Sequence, residues 1–166
     1  MPYLIDGNNL LGSWGGPAVR GDGRTEVVRR VSEFCRAKGA RATVVFDGSP
    51  FRPELGAEQD LGRVTLRFPP QGHDADSVIR EILDGAARPG DILLVSSDKA
   101  LYSYARTRGA SALRAQEWNI LARGVSLPDR RAKPHGRRPD GGSREGADKP
   151  QREDDVEGWL KRFSGE

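Results

Sequence analysis

The residues best suited to chemistry in this chain are aspartates placed where short apolar runs end. Asp6 follows Tyr3-Leu4-Ile5, Asp47 follows Val44-Val45-Phe46, and Asp98 follows Leu93-Leu94-Val95-Ser96-Ser97. Asp76 stands just ahead of the apolar positions Val78, Ile79, Ile82 and Leu83. Two carboxylates about 4 Å apart repel by roughly 4 kcal/mol at an effective dielectric of about 20, so a cluster of Asp6, Asp76 and Asp98 calls for protons or a cation. Hard oxygen donors without a His or Cys cluster suit Mg2+ or Mn2+ better than zinc. Such a cation binds phosphate oxygens, acidifies water and steadies the leaving oxygen of an in-line displacement. The reaction expected of these acids is phosphodiester hydrolysis.

Neighbouring polar residues divide between chemical and structural readings. Asn8 is weighed evenly between orienting water or phosphate and forming a turn, and Asn9 is assigned to the turn. Asp74 is read as a helix N-cap and Asp76 as a site residue. Asp47 leans toward the site, although Gly48 and Pro50 behind it also suit a turn. Ser96 and Ser97 precede a helix and read first as caps. His73 has no second His beside it and is taken for a solvated loop residue.

The elements that must position these acids follow from periodicity. Short apolar runs at Tyr3 to Asp6, Ala42 to Phe46, Val64 to Phe68, Asp91 to Val95 and Ser111 to Leu113 have strand length. Between them lie amphipathic helical patterns over Thr25 to Lys38, Asp74 to Ala86 and Lys99 to Arg108, with Gly39 and Gly109 where helices should stop. Strands alternating with helices, and too apolar to have a wet face, predict an α/β fold: a mostly parallel sheet covered on both sides, with the ligand crevice beyond the carboxyl ends of its strands.

With 166 residues the chain has room for one such domain and a tail. Hydrophobic residues make up 36% of it, and no run approaches the roughly 20 apolar residues of a membrane span, so no membrane partner is expected. The amino-terminal residues lack the pattern of a secretory signal, and the expected location is cytoplasmic. Cys35 is the only cysteine, which excludes an internal disulfide and any multi-cysteine zinc site; its helical position predicts core packing. A net charge of +3 is compatible with a nucleic-acid partner without requiring one, and nothing in the sequence sets an oligomeric state.

Residues 1–127 are therefore predicted to form the domain. From 128 to 152 the chain is rich in Pro, Gly, Arg and Lys and is expected to be a disordered basic linker. Over 153–166, Val156, Trp159, Leu160 and Phe163 fall on one helical face, the pattern of a short docking helix. An RNA partner would need cations for its phosphates; the candidates are Arg20, Arg24 and Arg52, with Arg29, Arg30, Arg106 and Arg108 as weaker ones. In the linker they are Arg130, Arg131, Lys133, Arg137 and Arg138, where a flexible basic segment would raise encounter rates with a polyanion. Trp14 and Phe51, in Gly/Pro-rich loops, suit either base stacking or packing.

Taken together, Tyr3-Leu4-Ile5-Asp6-Gly7-Asn8-Asn9-Leu10-Leu11, Val45-Phe46-Asp47-Gly48, Ala75-Asp76-Ser77-Val78-Ile79, Ser96-Ser97-Asp98 and Val156-Glu157-Gly158-Trp159-Leu160-Lys161-Arg162-Phe163 resemble the NYN domain in its YacP-like branch. The resemblance implies a PIN-like three-layer α/β/α fold and metal-dependent cleavage of single-stranded RNA. It assigns the metal to Asp6, Asp76 and Asp98, with Asn8 and Asp47 in the same pocket. It also implies an RNA partner and raises the ribosome as a second. The rival reading is a non-catalytic RNA- or ribosome-binding module of the same fold. A phosphatase with an aspartyl nucleophile ranks last, because the place two residues after Asp6 is Asn8.

Overall fold

The computed structural model describes residues 2–15 and 23–125. The basic linker, the terminal docking helix and Arg20 therefore lie outside the described residues. At the centre, β1 (Pro2–Asp6) pairs in parallel with β2 (Arg41–Val45) on one side and β5 (Leu93–Val95) on the other. Beyond β2 come β4 (Val64–Arg67), also parallel, and the antiparallel edge β3 (Glu58–Asp60); β6 (Ser111–Leu113) lies parallel beyond β5. The six-stranded order is β3-β4-β2-β1-β5-β6. The chain thus builds outward from β1 in one direction and then returns to build in the other, which opens a crevice at the carboxyl end of β1.

Both faces of this sheet are covered, and adjacent strand residues feed opposite cores. Ile5, Val44 and Val95 point to one side, where Leu10 of α1 (Gly7–Gly12), Val27, Val31 and Phe34 of α2 (Gly23–Lys38), and Trp118 of α5 (Ala115–Val125) pack. Leu4, Val45 and Leu94 point to the other, against Val78, Ile79 and Leu83 of α3 (Ala75–Gly85) and Leu101 and Ala105 of α4 (Lys99–Thr107). This is the three-layer, mostly parallel architecture expected from the sequence. The expected helix stops are found, with Gly39 and Gly109 at φ 63° and 85°. Cys35 is fully buried and its thiol is pushed by burial to about 11, as a packing residue should be.

Four elements depart from expectation. Gly7-Asn8-Asn9, read as a turn, begins α1: the Asp6 side chain accepts from the Asn9 N–H as its cap and Leu10 anchors the helix in the core, overriding poor helix propensity. Glu58-Gln59-Asp60 has no strand character, yet Gln59 is buried and its amide donates to the Arg52 and Gly56 carbonyls, which holds this edge in place. The stretch 115–125 has no predicted element; its apolar stripe is blurred by Ile120, which is 69% exposed while Trp118 is fully buried. The fifth strand also begins at Leu93 rather than Asp91, because Pro89–Asp91 forms a turn of 3-10 helix.

Candidate functional site

Four segments deliver acids to the crevice at the carboxyl edge of β1, β2 and β5. Asp6 closes β1 and is only 6% exposed. One of its oxygens accepts from the Asn9 N–H at 3.0 Å and the other from the Ser96 hydroxyl at 3.3 Å. Burial pushes its carboxyl above the usual range; the Asn9 bond draws it back, and the charge of Asp76 raises it again. Asp76, in the first turn of α3, is also raised, first by burial and then by the charges of Asp98 and Asp74.

Asp98 caps α4, its carboxylate accepting from the Leu101 N–H at 2.8 Å, while its own N–H donates to Ser96 Oγ at 3.1 Å. Asp47, just past β2, has both oxygens engaged: the Ala75 N–H at 2.7 Å and the Asn8 amide at 2.9 Å. It ties the end of β2 to the start of both α1 and α3. Asp6 is repelled by Asp76 and Asp47, and Asp76 by Asp98, Asp74 and Asp47, so the acids are linked through Asp76, and Asn8 joins them through Asp47. Asp74, by contrast, is the N-cap of α3, accepting from the Ser77 N–H and hydroxyl, as expected.

Two contributors escaped the sequence reading. Asn9, assigned to a turn, accepts from the Ser97 N–H at 2.8 Å and so locks α1 to the loop carrying Asp98. Ser97 in turn donates to Gln116 and accepts from the Ala115 N–H, fixing the start of α5 beside the same loop. The only advance signal for Asn9 is its place on the first turn after a strand-end acid.

Among the described residues no three acids, histidines or cysteines are gathered closely enough to hold a metal ion together. The donor chemistry still fits a hard divalent cation. Mg2+ keeps several waters and takes only one or two protein carboxylates, and Asp6 and Asp76, raised first by burial and then by neighbouring charge, are relieved by added positive charge.

The basic and aromatic candidates fall mostly into structural roles. Arg24 donates to the Ser49 carbonyl and lies 4.7 Å from the Phe51 ring centroid, bracing the loop after Asp47. Arg52 is exposed in that loop. Arg29 and Arg30 are engaged by Glu26 and Glu33, and Arg108 by Asp84. Trp14 donates to Asn119 and Phe51 stacks edge-on with Phe46 and Phe68, so both pack.

The sequence profile of the YacP-like NYN domain matches residues 3–146. The chain belongs to that family. The match takes in Asp6, Asp47, Asp76 and Asp98 and stops short of Val156–Phe163. Membership of the YacP-like NYN family supports ribonuclease activity as the broad class of this protein. The fold is similar to the crystal structure of Rae1 (YacP) from Bacillus subtilis, with a TM-score of 0.57 at 21% identity over 75% of each chain. A tryptophan-to-leucine mutant of that protein gives a TM-score of 0.60, also at 21% identity, over 75% of this chain and 76% of the other. No curated protein matches the chain.

The raised acids carry a stability consequence. A carboxyl whose folded value lies above its unfolded one favours folding below the unfolded value and loses that contribution as pH rises through the folded value. Asp76 also gains from the α3 N-terminus, an interaction worth about 0.3–1 kcal/mol at most surface sites, but its net shift is upward, so burial and repulsion win. In EDTA, Asp76→Asn should melt a few degrees above wild type near neutral pH, with the difference vanishing in acid below the ordinary Asp range. Thermal melts at the two pH values check this; a lower melting temperature for the variant at neutral pH would contradict the mutual repulsion.

Proposed function

We propose that this chain is a divalent-cation-dependent endoribonuclease hydrolysing phosphodiester bonds of single-stranded RNA. The observation that carries the reading is the meeting of Asp6, Asp47, Asp76 and Asp98 at one sheet edge, with Asp6 and Asp76 held above the usual carboxylate range. Asp6, Asp76 and Asp98 are the residues to hold Mg2+ or Mn2+. When bound, the cation supplies Lewis acidity to a phosphoryl oxygen and to water at the site.

The protein's own groups do the positioning. Asp47 spends both oxygens on the Ala75 N–H and the Asn8 amide, so it braces the pocket while Asn8, exposed beside it, keeps its amide oxygen free to accept from water. Ser96 bonds Asp6 and receives the Asp98 N–H, holding those two carboxylates in fixed relation. Arg52, exposed in the loop after Asp47, is a proposed phosphate contact; Arg20, Arg130, Arg131, Lys133, Arg137 and Arg138 are further proposed phosphate contacts outside the described residues. Arg24 serves by shaping the same loop. The family resemblance adds messenger RNA on the ribosome as a setting for cleavage.

A covalently closed circle of single-stranded RNA tests the endonuclease assignment, because it has no end to digest. Incubation with the protein and Mg2+ or Mn2+, with and without translating ribosomes, should yield the linear form first. Circles that survive every condition would overturn the reading in favour of a binding module.

A further inference from the structure

A second feature lies away from the acids, between α2 and α5. There a cavity of about 440 Å³ is lined by Arg29, Arg30, Glu33, Trp118, Asn119 and Arg123, among others. Trp118 is fully buried, and its indole N–H has no hydrogen-bond acceptor among the described residues. Buried donors are nearly always paired, so this one marks a place where an acceptor belongs. The other groups around it say what kind. Arg29 is spent on Glu26 and Glu33, whereas Arg30 uses its Nε on Glu26 and stacks 4.2 Å from the Trp14 ring centroid, leaving its outer nitrogens unspent. Arg123 has no ion pair or hydrogen bond among the described residues. A guanidinium fork beside an unpaired N–H suits an oxyanion.

We propose that this cavity receives a backbone phosphate of the RNA strand whose neighbouring segment lies at the acid cluster, an inference that rests on the function proposed above. The two places are connected by rigid elements. Gln116, bonded to Ser97 next to Asp98, shares one face of α5 with Asn119 and Arg123. Seven residues of helix rise about 10 Å, a span of about three stacked nucleotides at roughly 3.4 Å each. From the other side, α1 starts at Asp6 and is fastened at its far end to Asn119, which donates to Ser13 and accepts from Trp14.

The test uses the full chain in an Asp98→Asn background with Mg2+, so that binding is read without turnover, and labelled single-stranded RNAs of about three, six and ten nucleotides. Arg123→Gln should weaken binding by about fivefold for the longest RNA, progressively less for shorter ones, and lower the salt slope by about 0.7, the value for one phosphate contact on a single strand. Trp118→Phe keeps an aromatic ring and removes the N–H; it should weaken the longest RNA severalfold and the shortest little, a length dependence that the modest drop in melting temperature expected from the lost buried volume does not produce. Affinities and salt slopes equal to the parent's for Arg123→Gln would overturn the proposal. So would equal losses at every length, or displacement by inorganic phosphate with no gain from chain length. A parent that binds none of the RNAs would instead overturn the RNA reading on which the proposal stands, before any variant is compared.

Discussion

Asp98→Asn is expected to lower RNA cleavage by more than about 100-fold while leaving RNA affinity equal or tighter. The lower bound is set by what loss of an outer-shell partner alone costs a metal site, about 10- to 100-fold. The fold should survive, because Asp98 caps α4 through the Leu101 N–H and Asn is an equally good cap. Binding should not weaken, because the substitution removes one negative charge from a group that repels phosphate. Single-turnover cleavage alongside an equilibrium binding measurement separates the two effects. Unchanged turnover would remove Asp98 from the site, and lost binding with lost melting stability would assign it to the cap alone.

Gly7→Ala should be the most damaging substitution next to the site that touches no acid. A Cβ at Gly7 would stand 2.4 Å from Phe46 Cε1 and 2.5 Å from its Cδ1. Phe46 cannot yield: it is fully buried, stacked at 6.1 Å on Phe68 and met edge-on by Phe51 at 5.8 Å. Gly→Ala in a helix ordinarily gains up to about 1 kcal/mol, whereas overpacking a filled core costs about 1–3 kcal/mol. The clash should win at this distance, lowering the melting temperature by several degrees. It should also lower activity, since Gly7 follows Asp6 and Phe46 precedes Asp47, so any relief moves an acid. Gly12→Ala, with nothing within 4 Å of the added carbon, is the matched control and should melt at or above wild type. Equal melting of Gly7→Ala and wild type would mean the Phe46 ring does not lie against Gly7 as described.

The sequence disclosed the central strands β1, β2 and β5 because their carboxyl-terminal residues are buried and read as short apolar runs, and β4 because Val64 and Leu66 alternate inward. It disclosed the acids for a related reason: the residue after a parallel strand lies on the crevice edge whatever its neighbours are. The antiparallel edge Glu58–Asp60 was hidden because its stability comes from Gln59 bonding carbonyls of a neighbouring loop, not from strand-forming side chains. The roles of Asn8 and Asn9 were hidden too. Asn8 reaches Asp47 across 39 positions and Asn9 reaches Ser97 across 88, and no local spacing encodes either partner. For Trp14 and Phe51 the loop setting left base stacking and packing both open; the aromatic and cation–π neighbours that decide for packing, Arg30 and Phe46 among them, are brought only by the tertiary fold. The α2–α5 cavity was invisible for the same reason, since its lining is drawn from two helices that meet only in the folded chain.

The most direct test of the account is cleavage of end-labelled single-stranded RNA by wild type and by the Asp6→Asn, Asp98→Asn double variant, each in Mn2+, in Mg2+ and in EDTA. Cutting by wild type in at least one of the two cations, absent in EDTA and absent in the double variant, is the result predicted. Cutting that persists in EDTA or in the double variant would contradict a cation held by the strand-end acids.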